Sequence, residues 1–314
     1  MELYKQTLDY FMGLQVETEH INDEIHIQQD INAFRSSLVY DCIERAMDLV
    51  EGGSVYSADG GPTAGTISAG DSLAALDEIV FNQKLLTMEQ VLHAMSTNYE
   101  DMETVPAGPE IRAILLNKAP KFGNDDERAD KWVVELEDYI GSSYRYKYRS
   151  SKYGKGPVPC CYSYSQSPVT GNIAFGKSIG ATPDGRKAGQ PVNNGISPAN
   201  GSEKKGATAA CNSVMKLPSI WFQKGAIFNM RLSKGALDTD ENKEKVIAMI
   251  KVLFENYGQQ IQFNVVDNKA FKKAMEHPDE YKDLMVRVSG YSALFTSLSP
   301  ECQMDVINRA ELEL

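Results

Sequence analysis

The order of predicted elements in the last third of the chain places the strongest limit on its fold. Residues 226–232 and 284–288 are short β-forming runs, and residues 260–266 alternate polar and apolar side chains as a strand does. Apolar periodicity predicts helices at 246–254 and 270–276 between these strands. The resulting order of strand, helix, strand, helix, strand is typical of α/β proteins, so we expect an α/β fold.

The first half of the chain is predicted to be mostly helical. One helix is expected from residue 39 to residue 50, with Cys42 on its apolar face and Gly52-Gly53 at its end. Further helices are predicted around residues 73–80, 88–95, 109–118 and 126–140. From about residue 157 to residue 219, Gly, Pro and Ser become dense. We therefore expect a mostly helical part at 1–150 and a second part at 151–314.

Composition excludes several classes of function. The net charge of −11 weighs against a nucleic-acid groove or an anionic membrane surface as partner. The sequence contains no run of 18 apolar residues, so it predicts no transmembrane helix. Its first residues lack the pattern of a secretory signal. Five cysteines without framework spacing favour a reducing, cytoplasmic setting. The four histidines lack metal-ligand spacing, so no metal site is expected.

Gly290 lies in the run Arg287-Val288-Ser289-Gly290-Tyr291-Ser292-Ala293. A hydrogen atom leaves the α-carbon of glycine readily, because the radical is delocalised between the amide nitrogen and the carbonyl. Glycine suits this role since no Cβ twists that system and its backbone reaches conformations closed to other residues. The alternative is an ordinary turn, for which Ser-Gly is common. These residues alone leave both interpretations open.

Several segments in the same order resemble the glycyl radical enzyme superfamily of pyruvate formate-lyase and glycerol dehydratase. Besides the run around Gly290, they are Lys121–Asp126, Gly180–Pro191, Gln262–Asp267, His277–Tyr281 and Gln303–Arg309. The resemblance implies part of a ten-stranded α/β barrel wrapped in helices, with a glycyl radical domain at about 180–314. It also implies that Gly290 stores the radical and that the remaining residues of 287–293 form its loop, with Ser289 and Tyr291 shaping it.

The resemblance further implies a reaction and its partners. The glycyl radical oxidises a cysteine to a thiyl, which attacks a small-molecule substrate in a lyase, dehydratase or formate acetyltransferase reaction. A separate radical S-adenosylmethionine activase with an iron–sulfur cluster installs the radical, and the chain itself binds no cofactor. Oxygen would cleave the backbone at Gly290, so the setting is anaerobic. Ser167 and Thr170 are candidates for substrate binding on a strand that faces the pocket.

One departure from the family pattern matters. The segment with the catalytic cysteine lies upstream of the region that this chain resembles, so we expect the chain to correspond to the C-terminal part of a full enzyme, with the N-terminal part missing. Cys160-Cys161 is a possible substitute, although a pair of buried, inert thiols is the simpler interpretation. A fragment, a truncated product and one subunit of a split enzyme all remain open. The partner is then the missing part or a second copy of the chain.

A non-catalytic role is the second hypothesis: the chain supplies a glycyl radical domain to a split or damaged enzyme. An inert truncated product is the third, and it predicts a large exposed apolar surface.

Two further motifs have simpler interpretations. Gly70-Asp71-Ser72-Leu73 matches an esterase block, but Asp71 or Ser72 as a helix cap is favoured. Asp184 and Arg186 are expected to form an ion pair that locks a turn.

Overall fold

A computed structural model describes residues 1–56, 60–61, 63–148, 162–167, 169–266 and 268–312. Cys160 and Cys161 lie outside the described residues, so their role stays a prediction. The α-helices are α1 (Glu2–Gln29), α2 (Ala33–Ser37), α3 (Thr66–Ala75), α4 (Met88–Ser96), α5 (Gly108–Asn117), α6 (Glu127–Tyr146), α7 (Gly171–Ser178), α8 (Ala207–Met215), α9 (Asp240–Glu255), α10 (Asn268–Glu276) and α11 (Pro300–Asn308). A π-helix, Leu76–Asn82, continues α3, and short 3₁₀ helices occupy Leu49–Glu51, Ser219–Trp221, Lys234–Leu237, Pro278–Tyr281 and Phe295–Ser297.

Four short strands carry the sheet structure of the described residues: β1 (Asn229–Arg231), β2 (Gln262–Asn264), β3 (Met285–Arg287) and β4 (Ser292–Leu294). β1 and β2 pair in parallel, with Asn229 opposite Gln262, and helix α9 makes the crossover between them. β3 and β4 form an antiparallel hairpin. The order β1-α9-β2-α10-β3 confirms the predicted α/β alternation.

The chain divides into two compact units. The first comprises Met1–Gly61, Asp138–Tyr164 and Trp221–Lys224, and the second comprises Pro62–Glu137, Ser165–Ile220 and Gly225–Leu314. The expected division near residue 150 stays a prediction about domain organisation. No helix among the described ranges is long and apolar enough to span a membrane.

Aromatic packing organises the first unit. The ring of Tyr144 stacks on Tyr164 with centroids 6.0 Å apart, and its hydroxyl donates to Gln15 Oε1 on α1 at 2.6 Å. Tyr164 also packs against Phe222, with ring centroids 5.8 Å apart. These contacts join segments that are distant in sequence, and large aromatic side chains bury much apolar area where such segments meet.

Two apolar clusters form the core of the second unit. One lies among α3, its π-helical continuation, α4 and α5, where Ile79, Val91 and Leu115 are fully buried. The other lies beneath the hairpin, where Val286 and Val288 pack with Phe271 of α10, Phe295 and Val306 of α11. The hairpin is therefore anchored through one buried face.

The predicted helix at 39–50 is wrong. Residues 38–48 form turns, in which Asp41 and Ala46 take positive φ angles of 75° and 51° that a right-handed helix does not allow. Asp48 then caps the 3₁₀ helix Leu49–Glu51, accepting from the N–H of Val50 at 3.1 Å. Cys42 is buried, as expected.

The expected helix cap at Asp71 or Ser72 is also wrong, since α3 begins at Thr66 and both residues lie inside it. The turn at Asp184 is locked without a direct ion pair between the described side chains of Asp184 and Arg186. Instead Asp184 Oδ1 accepts from the backbone N–H of Arg186 at 3.3 Å, and the Arg186 guanidinium donates to the carbonyl of Gln190 at 2.6 Å.

Candidate functional site

Gly290 lies at the tip of the β3–β4 hairpin. Arg287 is opposite Ser292 in the strand register, and the N–H of Val288 donates to the carbonyl of Tyr291 at 2.9 Å. The four residues 288–291 thus form the connecting loop. Gly290 has a φ of +76°, a conformation that favours glycine over residues with a Cβ.

Two side chains hold the peptide groups on either side of the Gly290 α-carbon. The N–H of Gly290 donates to Gln262 Oε1 at 3.2 Å, and Arg287 Nη2 donates to the carbonyl of Gly290 at 3.1 Å. Arg287 Nε also donates to Gln262 Oε1 at 2.8 Å, which joins the two holding groups. The amide and carbonyl that would share an α-carbon radical are therefore both fixed, and a cation polarises the carbonyl.

Asn264 and Arg309 position the strand that leads into Gly290. Asn264 Nδ2 donates to the carbonyl of Arg287 at 2.7 Å, and its Oδ1 accepts from the N–H of Arg287 at 2.8 Å. The amide side chain thus takes the place of a neighbouring strand. Arg309 Nη2 donates to the carbonyl of Val288 at 2.8 Å and pairs with Asp305 at 3.0 Å, both charged side chains being buried.

Ser289 fixes the other side of the loop. It is 1% exposed, and its hydroxyl donates to Asn194 Oδ1 at 2.8 Å. Asn229 of β1 donates to the same oxygen at 3.2 Å, and Asn194 Nδ2 donates to Asn172 Oδ1 at 3.2 Å. A buried amide network therefore holds Ser289, and the expected role of Ser289 in shaping the radical loop stays a prediction.

The surroundings of the Gly290 α-carbon are asymmetric. A Cβ placed on Gly290 would lie 3.1 Å from Ile227 Cδ1, so one of the two α-hydrogens faces that side chain. The residue itself is exposed, as are Tyr291 and Ser292, while Ala293 is half-buried. Much of this tip is thus open to solvent in the described structure.

The substrate-binding candidates lie elsewhere. Ser167 is half-buried and donates to Ser165 Oγ at 3.4 Å, and Thr170 is the residue before α7. Within the described part of the chain, neither side chain hydrogen-bonds to residues 287–293. Their roles in substrate binding stay predictions.

The described cysteines are of two kinds. Cys42 and Cys211 are buried, and burial raises the pKa of both thiols, that of Cys211 to about 12. Neither thiol is a ready thiolate at neutral pH. Cys302 of α11 is half-buried.

Sequence reasoning did not single out Gln262, Asn264, Asn194 or Asn229 as site residues. The sequence shows the alternation of polar and apolar residues at 260–266. In a common amphipathic strand the apolar residues are the buried ones, whereas here the polar residues are. Gln262 and Asn264 are buried, while Phe263 between them is half-buried. The signal present in the sequence is a pair of amide residues at alternate positions of the predicted strand at 260–266, before the glycine loop.

The chain matches two family models along most of its length. The model described as "Pyruvate formate lyase-like" matches residues 1–175, and the model described as "Glycine radical" matches residues 192–296. The second range contains the whole β3–β4 hairpin.

Curated relatives and solved structures agree with these matches. The chain is 36% identical over 313 residues to the "Probable dehydratase YbiW" of Escherichia coli (strain K12), covering 99% of this chain and 38% of that protein. It is 33% identical over 314 residues to the trans-4-hydroxy-L-proline dehydratase of Clostridioides difficile, covering 99% and 38%. The glycerol-bound B12-independent glycerol dehydratase from Clostridium butyricum superposes with a TM-score of 0.90 at 35% identity, covering 100% of this chain and 38% of that one.

The chain thus spans 38% of the length of these relatives. Its α/β fold is confirmed as that of part of a glycyl radical enzyme. The order of the segments that resemble the family, the glycine at the hairpin tip and the family matches agree: the chain belongs to the pyruvate formate-lyase-like family of glycyl radical enzymes.

Proposed function

We propose that Gly290 stores a radical that drives cleavage of a C–C, C–O or C–N bond in a small substrate, in a lyase, dehydratase or formate acetyltransferase reaction. The observation that supports this most is the fixing of both peptide groups beside its α-carbon. Gln262 accepts from the N–H at 3.2 Å, and Arg287 donates to the carbonyl at 3.1 Å. A radical delocalised over these groups gains from a geometry that is held in advance.

The neighbouring residues take supporting roles in this proposal. Ser289 and its amide network fix one side of the loop, and Tyr291 closes the loop by accepting from Val288. Ser292 accepts from Arg287 Nη1 at 3.1 Å and thereby orients the guanidinium. Ser167 and Thr170 would contact the substrate, and the sulfur that attacks it would come from a cysteine outside this hairpin.

Radical formation requires a partner, which we propose to be a radical S-adenosylmethionine activase with an iron–sulfur cluster. The exposure of Gly290 supports access to the α-carbon by such a protein. The same exposure means that a stored radical needs shielding by protein surface beyond the described hairpin.

The test is anaerobic incubation of the chain with a competent activase, followed by electron paramagnetic resonance. We expect a doublet signal that disappears in Gly290→Ala. Gly189→Ala is the matched control, since Gly189 has a similar φ of +78° but no atom within 4 Å of an added Cβ. Absence of the doublet with an activase that works on its own substrate would contradict the proposal.

Exposure to air gives a second readout. Oxygen should cleave the activated chain at Gly290, so mass spectrometry should find two fragments that meet there. An activated sample that stays intact in air would count against radical storage at this residue.

The exposed Gly290 also favours a second candidate function, in which the chain is a non-catalytic radical partner for a split or damaged enzyme. We would mix the chain with a homologous enzyme already cleaved at its radical loop, add the activase and measure product formation. Recovery of activity that depends on Gly290 supports this role. A radical signal without recovery favours a chain that works only with its own upstream part.

A further inference from the structure

A cavity of about 550 Å³ with several charged lining residues lies in the second unit. Its lining includes Asp71 of α3, Arg112 of α5, Lys121, Ser202 and Lys204. None of its lining residues belongs to the Gly290 hairpin. The volume falls within the range of about 300–1,000 Å³ that is typical of small-molecule sites.

Asp71 supplies an unsatisfied acceptor to this cavity. Its side chain is 0% exposed, and its Oδ1 accepts from the N–H of Phe122 at 2.7 Å, but its Oδ2 has no hydrogen-bond partner among the described residues. The buried ammonium of Lys121 donates instead to the carbonyl of Asp184 at 2.7 Å. A fully buried carboxylate oxygen without a partner is unfavourable, so a ligand that donates a hydrogen bond would stabilise it.

Ser202 supplies a second unsatisfied group. Its Oγ is buried and has no hydrogen-bond partner in the part of the chain that the structure describes, although the backbone carbonyl of Ser202 accepts from Asn124 Nδ2 at 2.9 Å. A hydroxyl can both donate and accept. Asp71 and Ser202 therefore offer the two kinds of contact that an alcohol group of a ligand needs.

The charge state of Asp71 narrows the choice of ligand. Burial raises the pKa of Asp71 to about 7, so the carboxyl carries its proton in part of the molecules near neutral pH. A neutral hydroxyl group can hydrogen-bond to either form. An ammonium group suits the site less well, because the cationic Lys121 lines the same cavity.

Cationic groups of the lining favour an anionic part of the ligand. Arg112 Nε donates to the carbonyl of Gly185 at 2.9 Å, which aligns the guanidinium while its terminal nitrogens have no hydrogen bond within the described structure. Lys204 is exposed, and its backbone N–H, not its ammonium, bonds to Asn124 at 2.7 Å. Arginine and lysine in this arrangement suit a carboxylate or phosphate.

We propose that this cavity binds a small anion that carries hydroxyl groups, with a hydroxyl on Asp71 and Ser202 and the anionic group on Arg112 and Lys204. Phosphorylated and carboxylated polyols share this chemistry. The binding site stands independently of the radical chemistry proposed for Gly290.

Isothermal titration calorimetry of the full chain tests the proposal with four probes: glycerol 3-phosphate, glycerate, glycerol and inorganic phosphate. We expect one or both of the hydroxylated anions to bind about tenfold more tightly than glycerol and than phosphate. Preference between the first two probes distinguishes a phosphate from a carboxylate ligand. No saturable binding of any probe up to about 10 mM would overturn the proposal.

Variants then assign the contacts. Ser202→Ala and Arg112→Gln should each weaken binding about tenfold, and Lys204→Gln about threefold because that side chain is exposed. Lys205→Gln is the matched control, an adjacent exposed lysine that does not line the cavity, and it should bind as the unchanged chain does. If Arg112→Gln fails to fold, the affinities of Ser202→Ala and Lys204→Gln test the assignment of the contacts. Unchanged affinity in both, or phosphate binding as tightly as glycerol 3-phosphate, would overturn the assignment.

Discussion

At the scale of single residues, the hairpin glycine depends on a side chain that is distant in sequence. Gln262 Oε1 accepts from the N–H of Gly290 at 3.2 Å and from Arg287 Nε at 2.8 Å. Its Nε2 donates to Asn229 Oδ1. The buried side-chain amide of Gln262 thus hydrogen-bonds to groups of β1, β3 and the loop at Gly290.

Replacing Gln262 by Leu should lower the free energy of unfolding by about 1–3 kcal/mol, because it leaves the buried Oδ1 of Asn229 and the half-buried Nε of Arg287 without their partner. Urea unfolding at equilibrium measures the change. Gln259→Leu is the matched control, since the side chain of Gln259 is exposed and, among the described residues, bonds only to the carbonyl of Ser219. Equal losses in the two variants would contradict the role given to Gln262.

Asp71 should make stability depend on pH. Burial raises the pKa of Asp71 from 3.8 to about 7, so the folded chain keeps a proton that the unfolded chain has released. The contribution of Asp71 to stability is therefore full below pH about 4 and is lost as the pH rises to about 7.

The comparison with Asp71→Asn isolates this effect. We subtract the free energy of unfolding of Asp71→Asn from that of the unchanged chain. This difference should decrease as the pH rises from about 4 to about 7, by a few kcal/mol in order of magnitude. Denaturant unfolding at several pH values measures the difference. A difference that stays constant or rises over this interval would refute the assignment of the raised pKa to Asp71.

At the scale of elements, the β3–β4 hairpin is held by two other segments at the point where β3 runs into the loop. Asn264 of β2 takes the place of a neighbouring strand for Arg287, and Arg309 after α11 donates to the carbonyl of Val288. The hairpin alone would be marginal in water, since two short strands seldom suffice. Its conformation thus depends on β2 and α11.

Arg309→Met should destabilise the chain by about 3 kcal/mol, because it leaves the buried carboxylate of Asp305 without its cation. Hydrogen exchange should quicken at the amides of residues 285–294, and urea unfolding should show the loss. Lys282→Met is the matched control: it removes an exposed pair with Asp279, 70% and 90% exposed, and should cost less than about 0.5 kcal/mol. Unchanged exchange in the hairpin of Arg309→Met would be incompatible with this anchoring.

At the scale of the whole molecule, the first unit exposes large apolar side chains. Leu3 and Phe11 of α1 are 76% and 61% exposed, and Phe34 of α2 is 77% exposed. Such surfaces mark sites of association. The exposure is what an inert truncated product would show, and equally what a chain with a binding partner would show.

Replacing Leu3, Phe11 and Phe34 together by Ser should reduce the fluorescence of a bound apolar dye and reduce self-association in sedimentation experiments. Unfolding stability should change by less than about 1 kcal/mol, because these side chains are exposed. Met12→Ser is the contrasting control, since Met12 on the same helix is 5% exposed and its loss should destabilise the fold by about 2 kcal/mol or more. Dye binding that persists in the triple variant would show that the apolar surface lies elsewhere.

Local patterns in the sequence determined much of the secondary structure. Local sequence patterns predicted α4, α5 and α6, because the hydrogen bonds of a helix join residues that are near in the chain. The strand and helix order and the run around Gly290 indicated the fold and the family in the same way. The helix expected at 39–50 failed where Asp41 and Ala46 take positive φ angles, which periodicity does not reveal.

Only the tertiary structure decided which polar groups are buried and what they bond to. Gln262 lies 28 residues from Gly290, and Asn194 lies 95 residues from Ser289. The unpaired oxygen of Asp71 exists because α3 packs against the loop of Phe122, 51 residues away. The physical reason is that burial and hydrogen bonding depend on which distant segments meet, whereas periodicity reports only on neighbours along the chain.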